Sequence, residues 1–323
     1  MNKPRVFVTG SLWSLLIYML HNDIDDIKRT HYFFVDTGIH KSVRKNFRCH
    51  ILHTKWEERC HWRFVQFLYI FIPILNRVRW PYLLFSDIWG IDQGWAVQSI
   101  IGRSQYSLIE DGAADYVVER FIPKIKRQRL IEALWSKVYR HDYGRNSQCK
   151  IIVLTNPTNK EGLREKAIII NISKLWTDAS NEKKNFILSM FNLNSEDIAS
   201  ISSRKIVLLT QPLSEDHIFP TEAEKISLYK EMIENYGEKN IVIKTHPREK
   251  TDYRSFFPEA VVADKIIPFQ LFKLMGIKFD VVVTVCSTAA QSLKDKETVI
   301  DFKGSEIDER IVKAYGIVKF DSV

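Results

Sequence analysis

Four cysteines, Cys49, Cys60, Cys149 and Cys286, are scattered through the 323 residues with no CxxC spacing. That excludes the paired ligands of a zinc finger or ribbon, and it supplies no disulfide framework. The turn after the first predicted strand reads Gly10-Ser11-Leu12 and does not continue as G-x-G-x-x-G, so a dinucleotide-binding fingerprint is missing. No convincing carboxylate cage for magnesium is present, no internal repeat is evident, and no nucleic-acid reading module is recognisable. The apolar run from Phe64 to Leu75 falls short of the roughly 20 residues that cross a bilayer, and Pro73 breaks it. Met1-Asn2-Lys3-Pro4 runs straight into a β-rich segment without a cleavage-site pattern, so the expectation is no secretory leader and a reducing cytoplasm.

What is present is an ordinary globular composition, 45% hydrophobic and 27% charged, long enough for two α/β domains. The net charge of +8 is uneven. Residues 1–150 hold 23 Lys and Arg against 14 Asp and Glu; the rest hold 24 against 25. Seven of the nine histidines also lie in the basic half. The apolar run there is flanked by Arg59, Arg63, Arg77 and Arg79, with Trp62 and Trp80 at its ends. A second basic stretch, Arg120 to Arg129, contains no acidic residue between its ends. One reading is a buried helix and a solvated helix face. The other is a surface with basic and aromatic anchors for anionic lipid headgroups.

Short β-rich runs alternate with helical patterns, the signal of a parallel-sheet α/β protein. The strand candidates are Arg5–Val8, His31–Val35, His50–His53, Tyr82–Phe85, Tyr106–Ile109, Lys150–Leu154 and Ala167–Ile172, then Ile206–Leu209, Ile241–Lys244, Ala260–Ala263, Val281–Val285 and Val299–Phe302. Polar residues gather from Asn192 to Asp197 and from Ser200 to Lys205, which places the domain boundary near residue 200, giving domains 1–200 and 201–323. A helix is predicted from Glu222 to Tyr236, with Thr221 and Glu224 as a capping box and Gly237 closing it. Its core face is Ile226, Tyr229, Met232, Ile233 and Tyr236.

Three strand ends carry chemistry. Ile241-Val242-Ile243-Lys244 stops at Thr245-His246-Pro247-Arg248, because proline lacks the N–H that a ladder needs. His246 then sits at a strand's carboxyl end, where open α/β sheets bind ligands. Tyr106-Ser107-Leu108-Ile109 stops at Glu110-Asp111-Gly112. Val281 to Cys286 runs into Ser287-Thr288, hydroxyls suited to a phosphate at a helix N-terminus. Taken singly, these are a turn histidine, a turn and an N-cap.

In this order the three motifs resemble the bacterial sialyltransferases, most closely glycosyltransferase family 52, the lipooligosaccharide sialyltransferase family. The residues that carry the resemblance are Glu110-Asp111-Gly112, Lys244-Thr245-His246-Pro247-Arg248 and Ser287-Thr288, with Leu209 to Asp216 similar to the stretch ahead of the His-Pro motif. The resemblance is strongest from about residue 205 onward.

It implies the GT-B fold: α/β, with two Rossmann-like domains facing each other across a cleft, the first for the acceptor and the second for CMP. It implies inverting transfer of sialic acid from CMP-sialic acid to a galactose-type hydroxyl of a bacterial lipooligosaccharide or capsule, with no metal and no further cofactor. His246 would be the general acid or charge stabiliser at the phosphate, and Ser287 and Thr288 would bind that phosphate. Lys244 and Pro247 would belong with them to the donor-binding set, Lys244 and Arg248 adding positive potential. Phe269 and Gln270 match the segment that reaches the ribose, although an acidic residue is usual where Gln270 stands. Asp216, ahead of the His-Pro motif, is the preferred general base and Asp111 is the other candidate. Family members form dimers, so a homodimer is expected. The basic half suggests peripheral contact with the inner face of the cytoplasmic membrane. Alternatives are another nucleotide-sugar donor, an epimerase or hydrolase on the same fold, and a non-catalytic basic membrane or glycan adaptor.

Overall fold

The computed structural model describes residues 3–54, 71–112, 143–144, 147–158, 162–263, 266–287, 289–290 and 297–318. Two compact units form, Met1–Met190 and Phe191–Val323. The boundary expected at residue 200 falls within the helix Ser195–Ser202, whose start is fixed by a reciprocal capping box between Asn194 and Asp197.

The first unit holds a seven-stranded sheet: β1 Arg5–Thr9, β2 His31–Val35, β3 Cys49–Leu52, β4 Asp87–Gly90, β5 Tyr106–Ile109, β6 Cys149–Leu154 and β7 Ala167–Ile169. All pairings are parallel, in the order β3-β2-β1-β4-β5-β6-β7. The second unit holds five parallel strands: β8 Ile206–Leu209, β9 Ile241–Lys244, β10 Val261–Ala263, β11 Val281–Thr284 and β12 Val299–Phe302, ordered β10-β9-β8-β11-β12. Central strands such as β9 are buried at every position, which is why they read as unbroken apolar runs rather than alternating ones. Strand order reverses between β1 and β4 and between β8 and β11, creating a topological switch point in each sheet.

The core of the second unit explains the helix that packs on it. Tyr229, Met232 and Ile233 are buried beside Leu208, Ile243 and Val283, with Ile226 and Tyr236 half-buried at the margin. The helix ends at Glu234, two residues sooner than its apolar pattern suggests, and Gly237 takes φ +77° as its N–H closes on the Ile233 carbonyl. Thr221 caps the other end, accepting from the Glu224 N–H at 3.3 Å, while a Glu224 carboxylate oxygen pairs with Arg310.

One predicted strand is wrong. Tyr82–Phe85 is not extended; Pro81–Leu84 is a 3₁₀ turn. Pro81 presets its first residue, and Leu84 and Phe85 face outward rather than into a sheet. The strand that fills this place is β4, Asp87–Gly90, too short and too polar at its start to stand out in sequence. Its Gly90 lies so close to β1 that a Cβ there would meet the Val8 carbonyl oxygen at 1.9 Å. The strand at Ala167 is also shorter than predicted, because Asn171 caps a helix, Ile172–Asp178, through the Lys174 N–H at 2.9 Å. The basic stretch 120–129 and most of the apolar run lie outside the described residues.

Candidate active site

His246 leaves the end of β9 into a closed corner. Its own N–H donates to Glu249 at 2.7 Å, and the Glu249 N–H returns to the His246 carbonyl at 3.0 Å. The Arg248 N–H donates to His246 Nδ1 at 3.2 Å. An Nδ1 that accepts leaves the proton of a neutral imidazole on Nε2, which has no hydrogen-bond partner among the described residues. Burial lowers the imidazole's pKa, and the charges of Arg248 and Lys244 lower it further; Asp216 and Glu215 oppose them, and the result is about 4. At neutral pH the ring is therefore an uncharged donor with one N–H to offer, where residue type alone suggests a group poised to gain or lose a proton near pH 7.

Asp216 stands in the loop after β8. One carboxylate oxygen pairs with Arg248 at 2.5 Å and the other accepts from the Tyr315 hydroxyl at 3.3 Å. Burial, with Asp216 adding to it, pushes the Tyr315 hydroxyl up to about 12, so it stays a donor. Asp216 and His246 are thus joined through Arg248, whose backbone touches one and whose guanidinium grips the other.

Beneath both loops lies a charged group that the sequence reading missed. Lys225 is fully buried, with its ammonium 2.8 Å from Glu215 and 3.4 Å from Glu249. Glu249 also accepts from the Thr210 hydroxyl and from Tyr253 at 2.6 Å, and Glu215 accepts from the Lys250 N–H at 2.7 Å. Burial raises the Glu215 pKa, but Lys225 and the Lys250 N–H outweigh it and hold it at about 2. Burial raises that of Glu249, against the pull of Thr210, Tyr253, the His246 N–H and Lys225. One signal was legible: Lys225 shares the helix face of Tyr229 and Met232, four and seven residues on, where a charge has no solvent.

The remaining second-unit candidates divide. Ser287 follows β11, half-buried, its N–H on the Thr284 hydroxyl at 3.1 Å and its own hydroxyl without a partner among the described residues. Because β9, β8 and β11 are consecutive and parallel, His246 and Ser287 follow the carboxyl ends of strands that lie two strand spacings, about 10 Å, apart. Thr288 lies outside the described residues. Lys244 is buried, its ammonium donating to the Thr245 carbonyl at 2.8 Å, so it reaches the corner by its charge. Phe269 is buried against Phe272, Gln270 is half-buried at the start of the helix Gln270–Leu274, and Pro247 is exposed.

In the first unit, Glu110 and Asp111 follow β5. Glu110 is buried and accepts from Trp13 at 3.1 Å and from the Thr155 N–H at 2.6 Å, which ties β5 to β6 and to the helix after β1. Its carbonyl accepts from the Ser14 hydroxyl at 2.7 Å. Asp111 is half-buried; burial raises its pKa, the Ser11 and Ser14 hydroxyls lower it, and Glu110 raises it again. Gly112 takes φ +140°, which the acidic pair needs to turn out of the strand. Of the acidic pair, Glu110 is bound into the structure by Trp13 and Thr155, while Asp111 faces the Ser11 and Ser14 hydroxyls. Among the described residues no group of three or more His, Cys, Asp or Glu is placed to hold a metal ion.

Two units, each a parallel sheet with its own switch point, have the architecture of the GT-B glycosyltransferases. Among solved structures the chain is similar to a 2,6-sialyltransferase of Photobacterium sp. JT-ISH-224, in complex with CMP and lactose, at TM-score 0.56 and 10% identity, covering 92% of this chain and 71% of that one. It is also similar to an α/β-galactoside α-2,3-sialyltransferase of Photobacterium phosphoreum, at 0.55 and 11%, covering 94% and 90%. The GT-B domain of a Photobacterium damselae sialyltransferase matches at 0.53 and 12%, over 98% of each chain. The protein belongs to glycosyltransferase family 52, which its residues 90–307 match. An uncharacterized protein of Haemophilus influenzae is 34% identical over 222 residues, 68% of either chain.

Proposed function

We propose that this family 52 glycosyltransferase is an inverting sialyltransferase. It moves sialic acid from CMP-sialic acid to a galactose-type hydroxyl of a bacterial surface glycan, lipooligosaccharide or capsule. The observation that carries the reading is the His246 corner, a neutral imidazole offering Nε2–H at the carboxyl edge of a switch-point sheet. In the proposed reaction the bond from the sialyl anomeric carbon to the CMP phosphate breaks and its electron pair stays with the phosphate. The acceptor oxygen bonds to the opposite face of that carbon and its proton passes to Asp216. Nε2–H and the Ser287 and Thr288 hydroxyls hydrogen-bond the departing phosphate, and the charges of Arg248 and Lys244 steady it. Arrival of that anion raises the imidazole's affinity for a proton and competes with Asp216 for Arg248, which leaves the carboxylate able to accept. Gln270 binds the ribose, a weaker partner than a carboxylate. The scheme requires no metal.

Donor class is read by thermal shift. CMP is expected to raise the melting temperature, by about 2.7 kcal/mol of added stability at a hundred times its Kd, whereas UDP and GDP leave it unmoved. A shift with UDP or GDP and none with CMP would assign a different nucleotide sugar.

Peripheral membrane contact is part of the same proposal. Among the described residues no helix is long and apolar enough to cross a membrane. The helix Ile72–Arg79 nonetheless exposes Ile74, Leu75 and Val78, with Leu84 and Phe85 also outward and Arg79 stacked on Trp80 at 4.7 Å. That combination suits an anionic headgroup layer. Binding to phosphatidylglycerol vesicles should weaken severalfold between 50 and 500 mM salt, on the order expected for screened surface charge; equal binding to neutral vesicles would remove the charge from the account.

A further inference from the structure

The network under the two loops is built in a way that stability does not explain. Replacing a buried ion pair with apolar side chains of similar volume is often neutral or favourable, so a buried Lys flanked by two carboxylates points to a positional task. Its members come from four places. Thr210 follows β8, Lys225 belongs to the helix Glu222–Glu234, Tyr253 to the helix Tyr253–Phe256, and Glu249 to the His-Pro corner itself. One Glu249 oxygen takes both the Thr210 hydroxyl and the His246 N–H; the other takes Tyr253 and Lys225. The same ammonium holds Glu215, the residue before Asp216, and Glu215 in turn holds the Lys250 N–H.

We propose that Glu249, gripped by Lys225, is a positioning residue that fixes the backbone and hence the ring of His246, so that Nδ1 faces the Arg248 N–H and Nε2–H faces outward. The backbone link is direct. With the His246 N–H tied to Glu249, residues 246 to 249 form a closed turn, and in that turn the Arg248 N–H reaches Nδ1 at 3.2 Å. Lys225 extends the hold to the other loop through Glu215, so one buried cation sets His246 and the neighbour of Asp216 in common register. An amide in place of the carboxylate keeps the volume but has one accepting oxygen for four donors; with that oxygen on the His246 N–H its NH₂ meets the Lys225 ammonium, and turned the other way it meets the His246 N–H.

The catalytic part of this inference rests on the sialyltransferase reading; the geometric part does not. The test uses Glu249→Gln in the full-length protein. Ring-nitrogen NMR shifts of His246, assigned by difference against His246→Asn, should show one Nε2–H tautomer in the parent at pH 7 and a mixture in Glu249→Gln. Transfer from CMP-sialic acid to lactose should lose tenfold or more in kcat while donor KM moves less than threefold, and Glu249→Asp should recover part of the loss. Unchanged tautomer and unchanged kcat in Glu249→Gln overturn the proposal, as does a loss confined to KM. If Glu249→Gln does not fold, Thr210→Val removes one donor from the same oxygen, and a mixed tautomer there supports the proposal while parental ring shifts overturn it. The ring shifts need no substrate. A parent protein that shows the single tautomer but no turnover therefore sinks the assigned reaction and leaves the positioning role standing.

Discussion

Replacing His246 with alanine is expected to lower CMP release from CMP-sialic acid in the presence of acceptor by roughly 10²–10⁴-fold, the usual worth of a positioned acid–base group. The loss should fall on kcat, because the imidazole's contact with the phosphate strengthens as charge develops there. The corner itself should survive, since Glu249 takes the backbone N–H of residue 246 and not its side chain. Melting temperature is the control, and it has a sign that can be checked. The folded imidazole titrates at about 4, below its ordinary 6.5, because of burial and then of Arg248 and Lys244. Between those values the unfolded chain binds the proton more than the folded one. The ring's contribution to stability is complete above pH 6.5 and shrinks as pH falls towards 4. His246→Ala should therefore flatten that part of the stability–pH curve. In the free enzyme, turnover per unit donor should show no break between pH 6 and 7 owing to this ring. A His246→Ala protein that releases CMP at the parental rate would dismiss the proposed chemistry.

Asp216→Asn is the second large effect. Transfer to lactose is expected to fall by roughly 10²–10⁴-fold, while Asp111→Asn costs less than tenfold. The choice rests on position and on partners. Asp216 is joined to the His246 corner through Arg248, whereas Asp111 follows β5 in the other unit, between the Ser11 and Ser14 hydroxyls. Asparagine at 216 keeps the Tyr315 hydroxyl bond and loses the ion pair with Arg248, so the positive charge proposed to steady the phosphate is freed rather than removed. Donor affinity should accordingly hold or tighten, measured by CMP titration, while transfer fails. The reverse ranking, with Asp111→Asn the damaging change, would move the base to the first unit and leave Asp216 as the anchor of Arg248.

How much of this was readable beforehand differs by element. Strands β8, β9 and β11 were found at their observed places because strands buried on both faces must be apolar throughout, and Lys244-Thr245-His246-Pro247 marks its own end by proline chemistry. Strand β4 does not stand out in sequence and the 3₁₀ turn before it does, because Tyr82 to Phe85 is apolar for a different reason: Leu83 is buried, Tyr82 packs half-buried against the core, and Leu84 and Phe85 face out. Asp216 and His246 were singled out separately. That Arg248 bridges them could not be read from residues 30 positions apart.

The sequence by itself determined two parallel-sheet units, the chemistry available at each strand end and the family to which the chain belongs, since all of these follow from local patterns of burial and from short motifs. The tertiary structure alone decided the state of that chemistry. It set which nitrogen of His246 carries the proton, which cation holds Asp216, and that Lys225 lies with its charge buried between Glu215 and Glu249. Burial and the distances between charges are properties of packing, and a pattern along one chain does not contain them.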